Sequence, residues 1–185
     1  LYNFTKREWV YERVELGERN FMEGFTPTII NDRFYHTLSS GFLECRNLSD
    51  GKMIWRKQNM ASQYSTNGFI IVGNKIIVMD DGKRELVAYD LESGNMVWAE
   101  SSAGNNSYLK ELNGVVYYGS RGDGRIHAVD IETGKHLWRL KSPDSYEDES
   151  YYYMSQCIVV PGEKGEKGKV IVSSFSHGYC FEAAK

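Results

Sequence analysis

Leu86-Val-Ala-Tyr-Asp-Leu-Glu-Ser-Gly-Asn-Met-Val-Trp98 and Ile126-His-Ala-Val-Asp-Ile-Glu-Thr-Gly-Lys-His-Leu-Trp138 align without a gap. In each, an apolar run closes on Asp90 or Asp130, a Glu-Ser-Gly or Glu-Thr-Gly turn follows, and a second run leads to Trp98 or Trp138. That order is a β-hairpin signature, with Gly94 and Gly134 supplying the positive φ of the turn. A third copy, Leu43-Glu-Cys-Arg-Asn-Leu-Ser-Asp-Gly-Lys-Met-Ile-Trp55, keeps Gly51 and Trp55, with Cys45 at the small-residue position and Asn47 in place of the aspartate. A degenerate fourth, Leu1-Tyr-Asn-Phe-Thr-Lys-Arg-Glu-Trp9, lacks the glycine. The tryptophans stand 46, 43 and 40 residues apart, a period that points to propeller blades.

Two further strand-like runs precede each clear hairpin: 27–31 and 34–38, then 69–72 and 75–79, then 108–112 and 115–119. Gly73-Asn74 and Asn113-Gly114 punctuate the first turns, and Asp81-Gly82 and Gly122-Asp123-Gly124 the second. Four strands per repeat make the antiparallel meander of one blade. Several of these runs are continuously apolar rather than alternating, which implies cover on both faces. The last segment offers three strands, 151–160, 170–175 and 178–183. The expected organisation is an all-β propeller of about four blades, near 26–57, 64–100, 107–140 and 151–185, with 1–14 as a partial or closing blade.

The motif Ala-x-Asp-x-x-[Ser/Thr]-Gly-x-x-x-Trp, at Ala88 to Trp98 and Ala128 to Trp138, resembles the tryptophan-docking motif of PQQ-like, quinoprotein-type propellers. The resemblance covers most of the chain. It implies that Trp55, Trp98 and Trp138 dock on a neighbouring blade and that Gly51, Gly94 and Gly134 make the turns beneath, which is a structural role. Families with this motif include PQQ-dependent alcohol dehydrogenases and the lipoprotein propeller of the outer-membrane β-barrel assembly machinery, mostly with seven or eight blades. Two arrangements stay open: a fragment of a longer propeller, or a four-bladed ring closed by Lys6 to Val14 pairing with the last blade. The resemblance also leans towards a periplasmic or extracellular location.

Composition narrows the function. The chain has 185 residues, 41% hydrophobic and 25% charged, in the range of folded water-soluble domains. A net charge of −3 without a basic run argues against nucleic-acid partners. The longest apolar runs, such as Ile76 to Met79, are strand-sized, far below the ~20 residues of a membrane span. Cys45, Cys157 and Cys180 form no CxxC pair, so a structural zinc site is not expected. Cys157 and Cys180 fall in what read as neighbouring strands and could pair in an oxidising compartment, although buried free thiols are the plainer reading.

No catalytic set emerges. A quinone dehydrogenase of the resembling family would need a Ca²⁺ site, an aspartate base and two adjacent cysteines, and no adjacent pair is present. Asp80-Asp81 and Asp123 could serve a hard cation but read better as turn-forming residues. His36, His127, His136 and His177 show no spacing for a shared metal and are expected at solvated or turn positions. The acidic stretch 144–149 leading into Tyr151-Tyr152-Tyr153 could contact a partner but reads better as a solvated loop leading into a core strand, and 162–168 reads as a mobile charged hairpin tip. The expected function is a non-catalytic scaffold for a protein or small ligand. Alternatives are a piece of a PQQ-dependent dehydrogenase, with PQQ and Ca²⁺ supplied only by residues outside this chain, or a carbohydrate-associated sensor.

Overall fold

The computed structural model describes residues 2–3, 5–9, 27–37, 41–58, 68–80, 82–104, 106–143 and 156–185. They fall into two compact units, Leu1–Thr66 and Asn67–Lys185. Among them, no helix is long and apolar enough to cross a membrane.

The first unit holds a short hairpin, β1 (Tyr2–Asn3) with β2 (Glu8–Trp9), and one four-stranded meander, blade 1. Its strands are β3 (Thr28–Ile30), β4 (Arg33–Thr37), β5 (Phe42–Asn47) and β6 (Met53–Gln58), paired in chain order. The second unit holds blade 2, β7 (Phe69–Val72) to β10 (Met96–Ser101) through β8 (Lys75–Asp80) and β9 (Glu85–Asp90). Blade 3 follows as β11 (Lys110–Leu112), β12 (Val115–Ser120), β13 (Arg125–Asp130) and β14 (His136–Lys141). Blade 4 has three described strands, β15 (Ile158–Val160), β16 (Lys169–Ser173) and β17 (Gly178–Glu182). Residues 10–14, 144–155 and Asp81, to which the sequence assigned a closing strand, an acidic contact loop with its tyrosine run and a turn, lie outside the described residues.

Continuous apolar runs form where an inner strand is buried on both faces, and β12 serves two cores. All six residues of β8 and all six of β12 are buried. In β12 the period of two sends Val115 and Tyr117 into a cluster with Cys157, Val170, Val172 and Ala183 of blade 4. The alternate residues Val116 and Tyr118 enter a second cluster with Ile77, Met79, Leu86 and Ala88 of blade 2. Burying each such aliphatic side chain stabilises the fold by roughly 1.5–3 kcal/mol.

The repeat is equally visible in backbone hydrogen bonds. The first-turn carbonyls of Asp32, Asn74, Gly114 and Gly168 accept the N–H groups of Leu48, Leu91, Ile131 and Ala183, the last at 2.8 Å. Blade 4 therefore follows the same plan as the other three.

The motif's turn also has a chemical explanation. Asp90 Oδ1 accepts from Ser93 N at 2.8 Å and Ser93 Oγ at 2.7 Å, and Asp130 Oδ1 accepts from Thr133 N and Oγ1, both at 2.8 Å. In blade 1, Asn47 Oδ1 holds Ser49 in the same way. Gly51, Gly94 and Gly134 then take φ of 69°, 67° and 73°, in the left-handed region where side chains are strained.

Two expectations need correction. The outer strands do not end at the tryptophans but run on to Gln58, Ser101 and Lys141. Cys157 precedes β15 and Cys180 lies on β17, with β16 between them, so they are not on neighbouring strands. Two strand spacings, about 9.5 Å, exceed a disulfide's reach, and both thiols are free. The tip 162–167 is exposed, and the segment closes at Gly168, where a Cβ would meet Leu112 Cδ2 at 2.5 Å.

Candidate functional site

The three tryptophans Trp55, Trp98 and Trp138 are positioned by a bulge that nothing in the sequence period announces. Ladder pairing steps from Met96↔Tyr89 to Trp98↔Ala88, leaving Val97 without an opposite residue. The same step leaves out Leu137 in blade 3 and Ile54 in blade 1. An extra residue rotates the strand locally. It turns the tryptophans inward over Cys45, Ala88 and Ala128, the small residues opposite them, and leaves Ile54, Val97 and Leu137 42%, 48% and 41% exposed.

Trp98 then reaches blade 3. Its Nε1–H donates to the Ile131 carbonyl at 2.8 Å, and a Cβ placed on Gly134 would lie 2.6 Å from its Cδ2. Gly134 is thus glycine for two reasons, its φ and the indole on top of it. Gly94 occupies the equivalent buried turn of blade 2. Trp138 packs on the cluster shared by blades 3 and 4, its ring 5.7 Å from Tyr117. Trp55, 8% exposed, lies 6.0 Å from the Tyr35 ring within the first unit, where Gly51 O accepts from Arg46. Charged links accompany these contacts in the second unit. Lys75 Nζ on β8 meets Glu132 Oε2 in the blade 3 turn at 2.7 Å, and Lys185 Nζ pairs with Asp130 Oδ2.

A cleft of about 490 Å³ opens between blades 2 and 3, lined by Lys83, Arg84, Glu85, Glu100, Ser101 and Gly122 among others. Its walls are tight: Arg84 and Ala103 take φ of 59° and 63°, and a Cβ on Gly122 would strike the Ala103 carbonyl oxygen at 2.0 Å. Non-glycine residues in this region store strain that the surrounding hydrogen bonds must hold. Here Ser102 N donates to Arg84 O at 2.8 Å, and Ser120 Oγ to Gly104 O at 2.8 Å.

Beside the cleft runs a polar chain. Asp123 Oδ1 lies 3.1 Å from His127 Nε2, His127 Nδ1 lies 2.9 Å from His136 Nε2, and His136 Nδ1 lies 3.7 Å from Glu100 Oε1. His127 is fully buried and stacked on Tyr118, ring centroids 4.7 Å apart and planes within 13°. The Tyr118 hydroxyl is buried without a hydrogen-bond partner among the described residues. Burial drives its pKa up, helped by the Asp123 and Glu100 carboxylates. Burial holds His136 below its ordinary 6.5; neighbouring His127 adds to this and Glu100 opposes it. Burial would raise Asp123, but the hydrogen bond and charge of His127 together with the Arg125 hydrogen bonds outweigh it and keep the carboxyl low.

The expectation of solvated histidines is therefore corrected for His127 and His136. They belong to one blade, on paired strands, and pairing across the bulge brings their rings together. His36 is also partly buried, 3.2 Å from the fully buried Glu44, which Arg46 and Arg56 hold at 2.8 and 2.6 Å. His177 is exposed and bonds Ser176 Oγ.

Of the carboxylates first weighed for a cation, Asp80 and Asp123 are among the described residues, and both are engaged by their own turns. Asp80 Oδ1 accepts from Lys83 N at 3.0 Å, and Asp123 is engaged by His127 and Arg125. Among the described residues no group of three or more His, Cys, Asp or Glu side chains is disposed to hold a metal ion.

Four-stranded meanders, one of them docked by a tryptophan onto the Asp-x-x-[Ser/Thr]-Gly turn of the next, define a β-propeller of the PQQ-like class. The family described as outer membrane protein assembly factor BamB matches residues 5–140 and, in a second alignment, 41–178, and the chain belongs to it. BamB of Escherichia coli (strain K12) is 25% identical over 122 residues, which are 65% of this chain and 30% of the relative. The crystal structure of BamB from Moraxella catarrhalis superposes with a TM-score of 0.59 at 21% identity, covering 82% of this chain and 43% of that one. A europium-containing methanol dehydrogenase gives the same TM-score, 0.59, at 16% identity, covering 85% and 39%. The last two likenesses are of fold. The chain spans about a third of the length of the curated relative it matches.

Proposed function

We propose that these blades form a non-catalytic protein-interaction scaffold that serves the assembly of outer membrane proteins on the periplasmic side. The observation that carries the reading is the family match, which covers most of the chain. In this reading Gly51, Trp55, Gly94, Trp98, Gly134 and Trp138 are docking residues that build the scaffold. The blades need no resident cofactor; PQQ and Ca²⁺ would enter only with residues outside this chain, and blades 1 to 4 form one propeller domain or part of one. The partner is a protein.

The geometry adds a candidate surface. In the second unit the bulges leave Met96, Val97 and Leu137 exposed at 64%, 48% and 41% on outer strands whose far edges are unpaired among the described residues. Exposed apolar side chains on rigid strands suit a protein partner. The test is affinity capture by the full-length protein from its source cells, with Val97→Asp and Leu137→Asp combined as the variant. Recovery of outer membrane proteins or their assembly factors by the parent, reduced at least about tenfold by the variant, is the expected result, equivalent to about 1.4 kcal/mol of binding. Equal capture by both would remove this surface from the proposal, and a dye-linked alcohol oxidation by the purified protein would overturn the non-catalytic reading.

A further inference from the structure

The chain Asp123, His127, His136, Glu100 has one place for one more proton, and its geometry says where. Asp123 is an ionised acceptor, so the facing His127 Nε2 carries the hydrogen. With Nε2 donating to Asp123, His127 Nδ1 takes the acceptor role and His136 Nε2 donates across their 2.9 Å contact. His136 Nδ1 is left bare, facing the Glu100 carboxylate at 3.7 Å, acceptor against acceptor. Glu100 Oε1 meanwhile accepts from the Ser101 backbone N–H at 2.9 Å.

We propose that this relay is a one-proton switch: in mild acid His136 Nδ1 is protonated and draws Glu100 away from the Ser101 N–H, taking a carboxylate out of the cleft between blades 2 and 3. The bond formed is N–H to carboxylate, charge-assisted and stronger than the neutral one it replaces. The two hydrogen bonds upstream keep their direction, so the interior of blade 3 need not rearrange. The remaining charged neighbours of His136 are accounted for: Arg139 on its own strand disfavours the proton, and Asp123 favours it. Tyr118, stacked on His127, stays neutral.

Two consequences reach the cleft. With Glu100 neutralised by His136, Lys83 and Arg84 face Glu85 alone, so the lining turns net positive. The freed Ser101 N–H lies on β10, the outermost described strand of blade 2, and becomes available to a partner's carbonyl. The placement of Glu100 on blade 2 and of both histidines on blade 3 makes the event an exchange between blades.

The experiment is an NMR titration of the 185-residue chain from pH 7.5 to 4.5, following the His136 imidazole and the Ser101 amide. Both are expected to move with one shared midpoint below 6.5. Glu100→Gln is expected to lower the His136 midpoint further and to abolish the Ser101 transition, whereas Glu85→Gln, in the same cleft, leaves both in place. A Ser101 amide that stays flat while His136 titrates overturns the switch. So does a His136 midpoint indifferent to Glu100→Gln, or loss of the dispersed spectrum before His136 titrates.

Discussion

Gly134 separates two reasons for being glycine that usually travel together. Gly114 and Gly134 have nearly the same φ, 74° and 73°, but a Cβ on Gly114 meets nothing within 4 Å whereas one on Gly134 meets the Trp98 ring. Gly114→Ala is expected to lose about 1–2 kcal/mol, the strain of a left-handed alanine alone. Gly134→Ala adds a clash with a packed indole and is expected to lose about 2–5 kcal/mol. Urea denaturation of both variants checks the difference, and equal losses would mean that Trp98 moves aside freely. The cysteines show the opposite case of a residue with little to say. Burial pushes Cys157 up to about 12, so its thiol is unreactive at neutral pH and acts as a small core side chain.

Among the elements, the outer strands carry the main lesson on what the sequence reveals. The turns were legible because their chemistry is local: Asp90 with Ser93, Asp130 with Thr133, and a glycine at the left-handed position. The inner strands were legible because double-sided burial leaves an unbroken apolar run, as in Ile76 to Met79. The bulges were not, because Met-Val-Trp and His-Leu-Trp read as plain strand residues; only the recurrence of an apolar residue just before each tryptophan could have hinted at them. For the same reason the His127–His136 contact was missed. Nine residues apart in sequence, they meet only because the strands pair around the omitted Leu137. The bulge makes its own prediction. Val97→Asp, despite sitting in an apolar run, is expected to change stability by no more than about 0.5 kcal/mol. Ala88→Leu, beneath Trp98, is expected to cost about 1–3 kcal/mol by overpacking. Thermal melts of the two variants check the contrast, which would reverse if Val97 were a core residue.

For the whole molecule, His136 and Asp130 show how stability answers to pH in two windows. His136 is held below 6.5 in the fold. Below pH 6.5 the unfolded chain therefore binds a proton that the fold resists, so stability falls as the pH drops from 6.5 towards the folded value. Asp130, kept at about 2 by Lys185 and then by Thr133, contributes stability above its ordinary 3.8 that is lost as the pH falls through about 2. Melting temperatures are expected to decline in both windows. His136→Gln, whose amide can still donate to His127, removes the first decline, and Asp130→Asn reduces the second, to which Asp90 and Asp123, also held low, contribute. A parent chain whose stability is flat from pH 7 to 5 would contradict the first assignment.

The proposed scaffold role rests on blades 2 to 4 behaving as one body, since a scaffold presents a surface only if its blades hold their spacing. The most direct measurement is native-state hydrogen exchange on the Trp98→Ala chain. If indole docking joins the blades, protection of β8, β9, β12 and β13 falls together and by a similar factor, because the cluster between blades 2 and 3 opens as a unit. If protection is lost only in β10, the tryptophan tidies its own strand, and the docking account of this propeller is wrong.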